Sequence, residues 1–123
     1  MAREGDLLEK VKISSDVMRG YIDLMILRVL CDEDSYGYAI SRKITDISEN
    51  SYTVKETTLY SAFSRLEKSK YLRSYPGSYS SGRERTYYSI TEEGLQYFWH
   101  KCGEWAATIE LISKFIPILR KGR

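Results

Sequence analysis

Thr53-Val-Lys-Glu-Thr-Thr-Leu-Tyr-Ser-Ala-Phe-Ser-Arg-Leu-Glu-Lys-Ser-Lys70 decides the fold of this chain. Ala62, Phe63 and Leu66 follow Leu59 at offsets of 3, 4 and 7, which places all four on one face of a helix. Thr53 and Glu56 have the spacing of a capping box, which predicts that the helix starts there. The opposite face carries Lys55, Thr57, Thr58, Tyr60, Ser61, Ser64, Arg65 and Lys68, a set of short hydroxyls and cations with little acid. Side chains of that kind approach phosphates and base edges closely. The pattern fits a recognition helix; taken alone, it also fits an amphipathic helix with a solvated polar face.

The flanking segments separate these two readings. Tyr71–Tyr75 is rich in β-formers and is closed by Pro76-Gly77, Ser78–Glu84 has loop composition, and Arg85–Ile90 alternates as a second strand. In that second strand Tyr88 and Ile90 share one face, and Tyr87 and Ser89 the other. A two-stranded hairpin after a recognition helix is a wing. Arg83 and Arg85, expected near its tip, have the chemistry to neutralise phosphates or enter a minor groove. Upstream, Ser15–Cys31 predicts one helix capped by Ser15 or Asp16, with Val17, Leu24, Leu27 and Cys31 near one stripe and Ile26, Val29 and Leu30 widening it. Ser35–Ile47 predicts a second helix capped by Ser35, with Ala39 or Ile40, Ile44 and Ile47 facing inward, and Ser48–Ser51 is a turn. Three short helices and a hairpin give an α+β fold, mainly α: a winged helix-turn-helix.

Thr91 caps a last helix whose first turn carries Glu92 and Glu93. Leu95, Phe98, Cys102, Trp105, Ile109, Ile112, Ile116 and Leu119 then alternate at spacings of three and four, a heptad seam. Pro117 predicts a kink or an end near Phe115, which sets the last two positions apart. So small a winged domain offers the seam little surface to pack on, and a homodimer is the simplest way to bury it; the alternative is that the first helix alone covers it. The expected organisation is an N-terminal arm over 1–13, a DNA-binding domain over 14–90, and a dimerisation helix and tail over 91–123.

A chain of 123 residues has room for one core. The net charge of +2 is small but unevenly placed. Residues 1–52 hold 7 basic against 10 acidic side chains, 53–88 hold 7 against 3, and 89–123 hold 5 against 4. Positive charge therefore gathers around the recognition helix, as a polyanion partner requires. Cys31, Cys102 and His100 make no ligand set, and both cysteines read as buried free thiols. His100 lies off the heptad seam and reads as a solvated side chain. There is no Ser/His/Asp set, metal-ligand cluster or glycine-rich phosphate loop, so neither an enzyme nor a cofactor is expected. No apolar run reaches the ~18 residues of a membrane span, and a cytoplasmic location is expected.

Five motifs in register, spread over residues 17–115, resemble the PadR family of bacterial transcriptional regulators. They are Arg19-Gly-Tyr-Ile-Asp-Leu-Met-Ile-Leu, Ser35-Tyr-Gly-Tyr, Thr57-Thr-Leu-Tyr with Arg65-Leu-Glu, Gly82-Arg-Glu-Arg-Thr-Tyr-Tyr, and Ile90-Thr-Glu-Glu-Gly. The single C-terminal helix is similar to the short-form subfamily, which includes multidrug-sensing repressors. The resemblance implies a homodimer on a pseudo-palindromic operator in double-stranded DNA. Tyr36, Lys55, Thr57, Thr58, Tyr60, Ser61, Ser64 and Arg65 would then lie at or near the DNA, with Arg83 and Arg85 on the wing. Tyr36 looks like a phosphate contact, and Tyr60 either contacts DNA or braces the domain through its ring. The implied dimer interface is Leu95, Phe98, Cys102, Trp105, Ile109 and Ile112. The resemblance also implies an effector pore for planar aromatic molecules, lined by Val17, Leu24, Trp105 and Ile109. In such sensors an acid stands where this chain has Ile109. Two readings of Trp105 remain open at this point: a ligand-stacking ring, or interface packing alone.

Overall fold

The structure, a computed structural model, describes residues 12–80 and 83–119, with only the backbone at 78–80, 83 and 119. Of the expected N-terminal arm, all but Lys12 and Ile13 lies outside the described residues. The elements in order are α1 (Ser15–Met18), α2 (Ile22–Asp32), β1 (Ser35–Tyr36), α3 (Gly37–Ile47), α4 (Glu56–Lys68), β2 (Leu72–Ser80), β3 (Arg83–Ile90), α5 (Glu92–Ser113) and a 3₁₀ turn at Pro117–Leu119. The strands form an antiparallel sheet in the order β1-β3-β2. This is the α+β, mainly α, winged helix-turn-helix expected from the sequence, followed by a long helix.

The core is built on α2. Ile22, Ile26, Leu27, Val29 and Leu30 are all buried and belong to one cluster with Ile40 and Ile44 of α3, Leu59, Ala62, Phe63 and Leu66 of α4, Leu72 and Tyr88 of the hairpin, and Phe98 of α5. The wide apolar surface of α2 therefore serves a central position within its own chain. Phe63 stacks on Tyr88 at 4.1 Å between ring centroids, joining α4 to the hairpin.

Several local expectations are corrected. The expected first helix is interrupted at Arg19–Tyr21, where Gly20 and Tyr21 donate to the carbonyls three residues back. Gly20 is a poor helix former, and the break lets Met18 and Ile22 both turn inward. The cap of α1 is Ser14, whose side chain accepts from the Val17 amide, not Ser15 or Asp16. Ser35 caps nothing, because Ser35 and Tyr36 pair with Tyr88 and Tyr87 as β1. Cross-strand pairing takes up this backbone, and α3 starts at Gly37. The capping box is not formed either: α4 starts at Glu56 and its N-cap, Lys55, has extended backbone. Val54 is buried, and seating it in the core keeps the chain extended past Thr53. Ile47 is 56% exposed rather than inward.

The Ser48–Ser51 turn forms as expected, with Glu49 and Asn50 at positive φ and the Ser48 hydroxyl bonded to the carbonyls of Thr45 and Tyr52. The hairpin is longer than its sequence suggests. β2 runs through Pro76-Gly77, and a register shift between Pro76 and Tyr79 absorbs them. Much of the expected 78–84 loop is therefore strand, although 81–82 lie outside the described residues. Ser89 is buried along with Tyr88, so the alternation in β3 does not leave one dry and one wet face.

Thr91 caps α5 as expected. Its hydroxyl accepts from the Gly94 amide at 3.0 Å and donates to the Lys70 carbonyl at 2.7 Å, fixing the helix start against the end of α4. The helix ends at Ser113, so Ile116 and Leu119 fall outside it, as Pro117 requires. Among the described residues no helix is long and apolar enough to cross a membrane, and no group of three His, Cys, Asp or Glu side chains could hold a metal ion.

Candidate nucleic-acid interface

The polar face of α4 stands out from the core. Lys55, Thr57, Thr58, Tyr60, Ser61, Ser64 and Arg65 are all exposed, because the four apolar positions of the same helix hold it down from beneath. The two sides of the helix differ. On one side Lys55, Thr57, Thr58, Ser61 and Arg65 line a cleft of about 600 Å³ together with Lys12 and Arg19. On the other side Tyr36, Tyr60 and Arg85 line a cleft of about 680 Å³ that runs from the start of α3 to the wing. Ser64 lines neither.

Tyr60 leans away from the first cleft. Its ring meets Phe63 edge-on at 5.3 Å, and its hydroxyl covers Gly37, where a methyl group would overlap it. Only a glycine at the start of α3 admits that hydroxyl. The ring is thus packed on the domain, and Tyr60 stands at the wall of the second cleft.

Tyr36 and Arg85 are joined. The Arg85 guanidinium lies 4.7 Å from the centre of the Tyr36 ring, and Tyr87 packs against the same ring at 5.5 Å. Arg85 is half-buried in this stack and stands two residues inward of Arg83, so it is not a tip residue. The side chain of Arg83 lies outside the described residues. Two further contacts hold the wing: the Ser74 hydroxyl donates to the Glu67 carboxylate at 2.7 Å, and the Tyr75 hydroxyl donates to Asp34. The bond to Asp34 is the main cause that pushes the Tyr75 phenol upward from its ordinary pKa.

Arg65 is committed differently from its neighbours on α4. Its Nε and Nη2 donate to the two carboxylate oxygens of Asp23 in α2, the first at 3.3 Å and the second closer. That bond holds the guanidinium proton more firmly than usual.

Sequence reasoning missed Lys12, Arg19, Tyr38 and Arg42. Arg42 donates to the Tyr38 hydroxyl at 3.0 Å from the exposed face of α3. The i,i+4 spacing of that pair was a legible signal, whereas the place of Lys12 and Arg19 depends on where α1 packs.

The residues assigned to a second subunit and to an effector fall into two groups. Phe98 is 4% exposed and belongs to the core of its own chain, and only its edge reaches the surface. Leu95, Trp105, Ile109 and Ile112 are exposed, and Cys102 is half-buried. Cys31 is also half-buried rather than buried, both thiols are free, and burial pushes the Cys31 thiol up. Trp105 packs on Tyr21 of the same chain at 4.4 Å between centroids. The two rings, with Leu24, Asp23, Tyr97, Lys101 and Glu104, line a cleft of about 280 Å³ between α2 and α5. Val17 and Ile109 are exposed and do not line it. Beside it Leu24, Met25, Val29, Ile44, Ile47, Phe98 and Cys102, with Arg28 and Ser48 at its sides, line a mainly apolar groove of about 320 Å³.

A helix-turn-helix whose polar helix stands exposed beside a β-hairpin wing is the architecture of a winged-helix regulator. Residues 26–99 match the Transcriptional regulator PadR-like family, and the chain belongs to that family. An uncharacterised protein of Lysinibacillus sphaericus is 42% identical over 104 residues, 85% of this chain and 95% of its own length. The structure of a transcriptional regulator from Clostridium thermocellum is 53% identical with a TM-score of 0.78, covering 85% of this chain and 98% of that one. A PadR family transcription regulator from Clostridium difficile is 36% identical with a TM-score of 0.68, covering 79% and 99%.

Proposed function

We propose that this protein is a transcriptional repressor that binds a pseudo-palindromic operator as a homodimer. The carrying observation is the exposed hydroxyl-and-cation face of α4, held beside the wing. Lys55, Tyr36 and the wing arginines place the domain on phosphates, while Thr57, Thr58 and Ser61 supply part of the base readout. Residues 14–90 form the DNA-binding unit, and 91–123 pair the two copies.

The second copy covers the apolar groove beside α5. Ile109, Leu111 and Ile112 are exposed at the end of the same helix, and Phe115, two residues beyond it, is 76% exposed. A chain that exposes both an apolar groove and an apolar helix end buries both by pairing with a second copy. A planar aromatic molecule on Trp105, next to Tyr21 and Leu24, would bias the angle between the winged domains and release the operator. Release requires different affinities for the two arrangements.

The test is capture of genomic fragments by the purified protein at about 100 mM salt, where non-specific binding is already weakened, followed by sequencing. Enrichment of an inverted repeat supports the proposal. Failure of a folded dimer to enrich any fragment would favour the other use of this fold, a winged-helix module that binds protein.

A further inference from the structure

Asp23 lies in the first turn of α2 and Arg65 in the last turn of α4. They are 42 residues apart in sequence, and both Arg65 donors on this side chain face reach the two Asp23 oxygens. The other described ion pairs join residues three or four apart on the surface, at Asp16–Arg19, Arg28–Asp32 and Lys101–Glu104. The pair is asymmetric: the Asp23 side chain is 23% exposed and that of Arg65 is 53%. Arg65 also lines the cleft that holds Lys55, Thr57, Thr58 and Ser61.

A planar guanidinium bound in two-point fashion to a carboxylate presents the donors that a phosphate would take. Asp23 and a DNA phosphate therefore compete for one group. The carboxylate is tethered beside it in the fold, so the competition is intramolecular. Occupied in this way, Arg65 adds little to the sequence-independent attraction that every duplex exerts.

We infer that Asp23, which need touch no DNA, is a positioning residue: it withholds Arg65 from phosphates and so holds down the protein's affinity for non-specific DNA. This rests on the DNA-binding reading above.

The test compares the full-length wild type with Asp23→Asn, Arg65→Ala, Asp23→Glu and the Asp23→Asn/Arg65→Ala double variant. Each is titrated with a mixed-sequence duplex between about 50 and 200 mM salt, a range over which each phosphate contact is worth about 3.5-fold in affinity. Asp23→Asn should steepen the plot of log affinity against log salt by about 0.9 per subunit, the slope of one added phosphate contact. Arg65→Ala, Asp23→Glu and the double variant should keep the wild-type slope. A merely structural pair would change Asp23→Asn and Arg65→Ala alike. If Arg65→Ala flattens the slope while Asp23→Asn leaves it unchanged, Arg65 is a direct phosphate ligand and the inference is overturned. Equal slopes for all five proteins overturn it too. A folded wild type that binds no duplex even at the lowest salt would instead sink the DNA-binding reading itself.

Discussion

The hydroxyl of Tyr60 covers Gly37, so the recognition helix is seated on the first residue of the helix before it. The two residues belong to different helices, and the absence of a side chain on one makes room for the other. Gly37→Ala should push the Tyr60 ring toward the cleft, where only the end of an exposed side chain must move. Thermal stability should therefore change little while affinity for DNA falls several-fold. Thermal melts beside a binding titration check this, and a large drop in melting temperature would show that Gly37 matters to folding instead.

Gly94 is the opposite case. A Cβ there would meet the backbone carbonyl of Tyr71, which cannot swing aside. Gly94→Ala should cost about 1–3 kcal/mol, the usual effect of overpacking. Thr91→Ala, which removes the cap one turn earlier, should cost about 1 kcal/mol. Urea unfolding of the two variants gives both numbers, and wild-type midpoints would contradict the account of how α5 is anchored.

The Tyr36–Arg85 stack ties the wing to the start of α3. Arg85→Ala and Tyr36→Leu should be non-additive in a double-mutant cycle, with a coupling of about 0.5–1 kcal/mol. Additive losses would mean that the Tyr36 ring and the guanidinium are neighbours without mutual stabilisation.

Burial pushes the Tyr88 phenol up, and the bond to Asp34 does the same for Tyr75. A group whose pKa is raised on folding contributes stability that is whole below its unfolded value, about 10 for Tyr. That contribution is lost as pH climbs through the higher folded value. Stability should thus hold to about pH 10 and fall beyond it. Tyr88→Phe, which cannot ionise, should show a shallower alkaline fall. Chemical denaturation at a series of alkaline pH values would show whether the two curves part.

Trp105→Ala should abolish binding of a planar aromatic dye while leaving the protein folded and paired. Dye fluorescence and sedimentation, run on the same samples, separate the outcomes. Unchanged dye binding would leave Trp105 with its packing on Tyr21 alone.

Much of this fold was legible because it rests on periodicity. Leu59, Ala62, Phe63 and Leu66 announced their shared face, and Thr91 with two following acids announced the start of α5. Two of the misreadings share a cause. Thr53 and Ser35 each have the chemistry of a cap, yet at both places a non-local contact sets the boundary. Val54 is drawn into the core, and Ser35 pairs with Tyr88. Local propensity is weaker than such tertiary contacts. The start of α1 differs only locally, by one residue, with Ser14 as the cap in place of Ser15. Phe98 lies on the seam and yet joins the core of its own chain, since spacing alone does not say which residues of a seam its own chain will bury. In the candidate interface the exposed hydroxyls of α4 were legible from the helical period. The ties of Arg65 to Asp23 and of Arg85 to Tyr36 were not, because each joins segments that only folding brings together.

The central claim is that two copies present two α4 helices to one operator. Hydroxyl-radical footprinting of the wild-type dimer on an enriched fragment tests it most directly. Two protected half-sites on one face of the duplex, with centres about 34 Å apart or a multiple of that, are the predicted result. A single protected tract without symmetry, or no protection from a folded dimer, would contradict it.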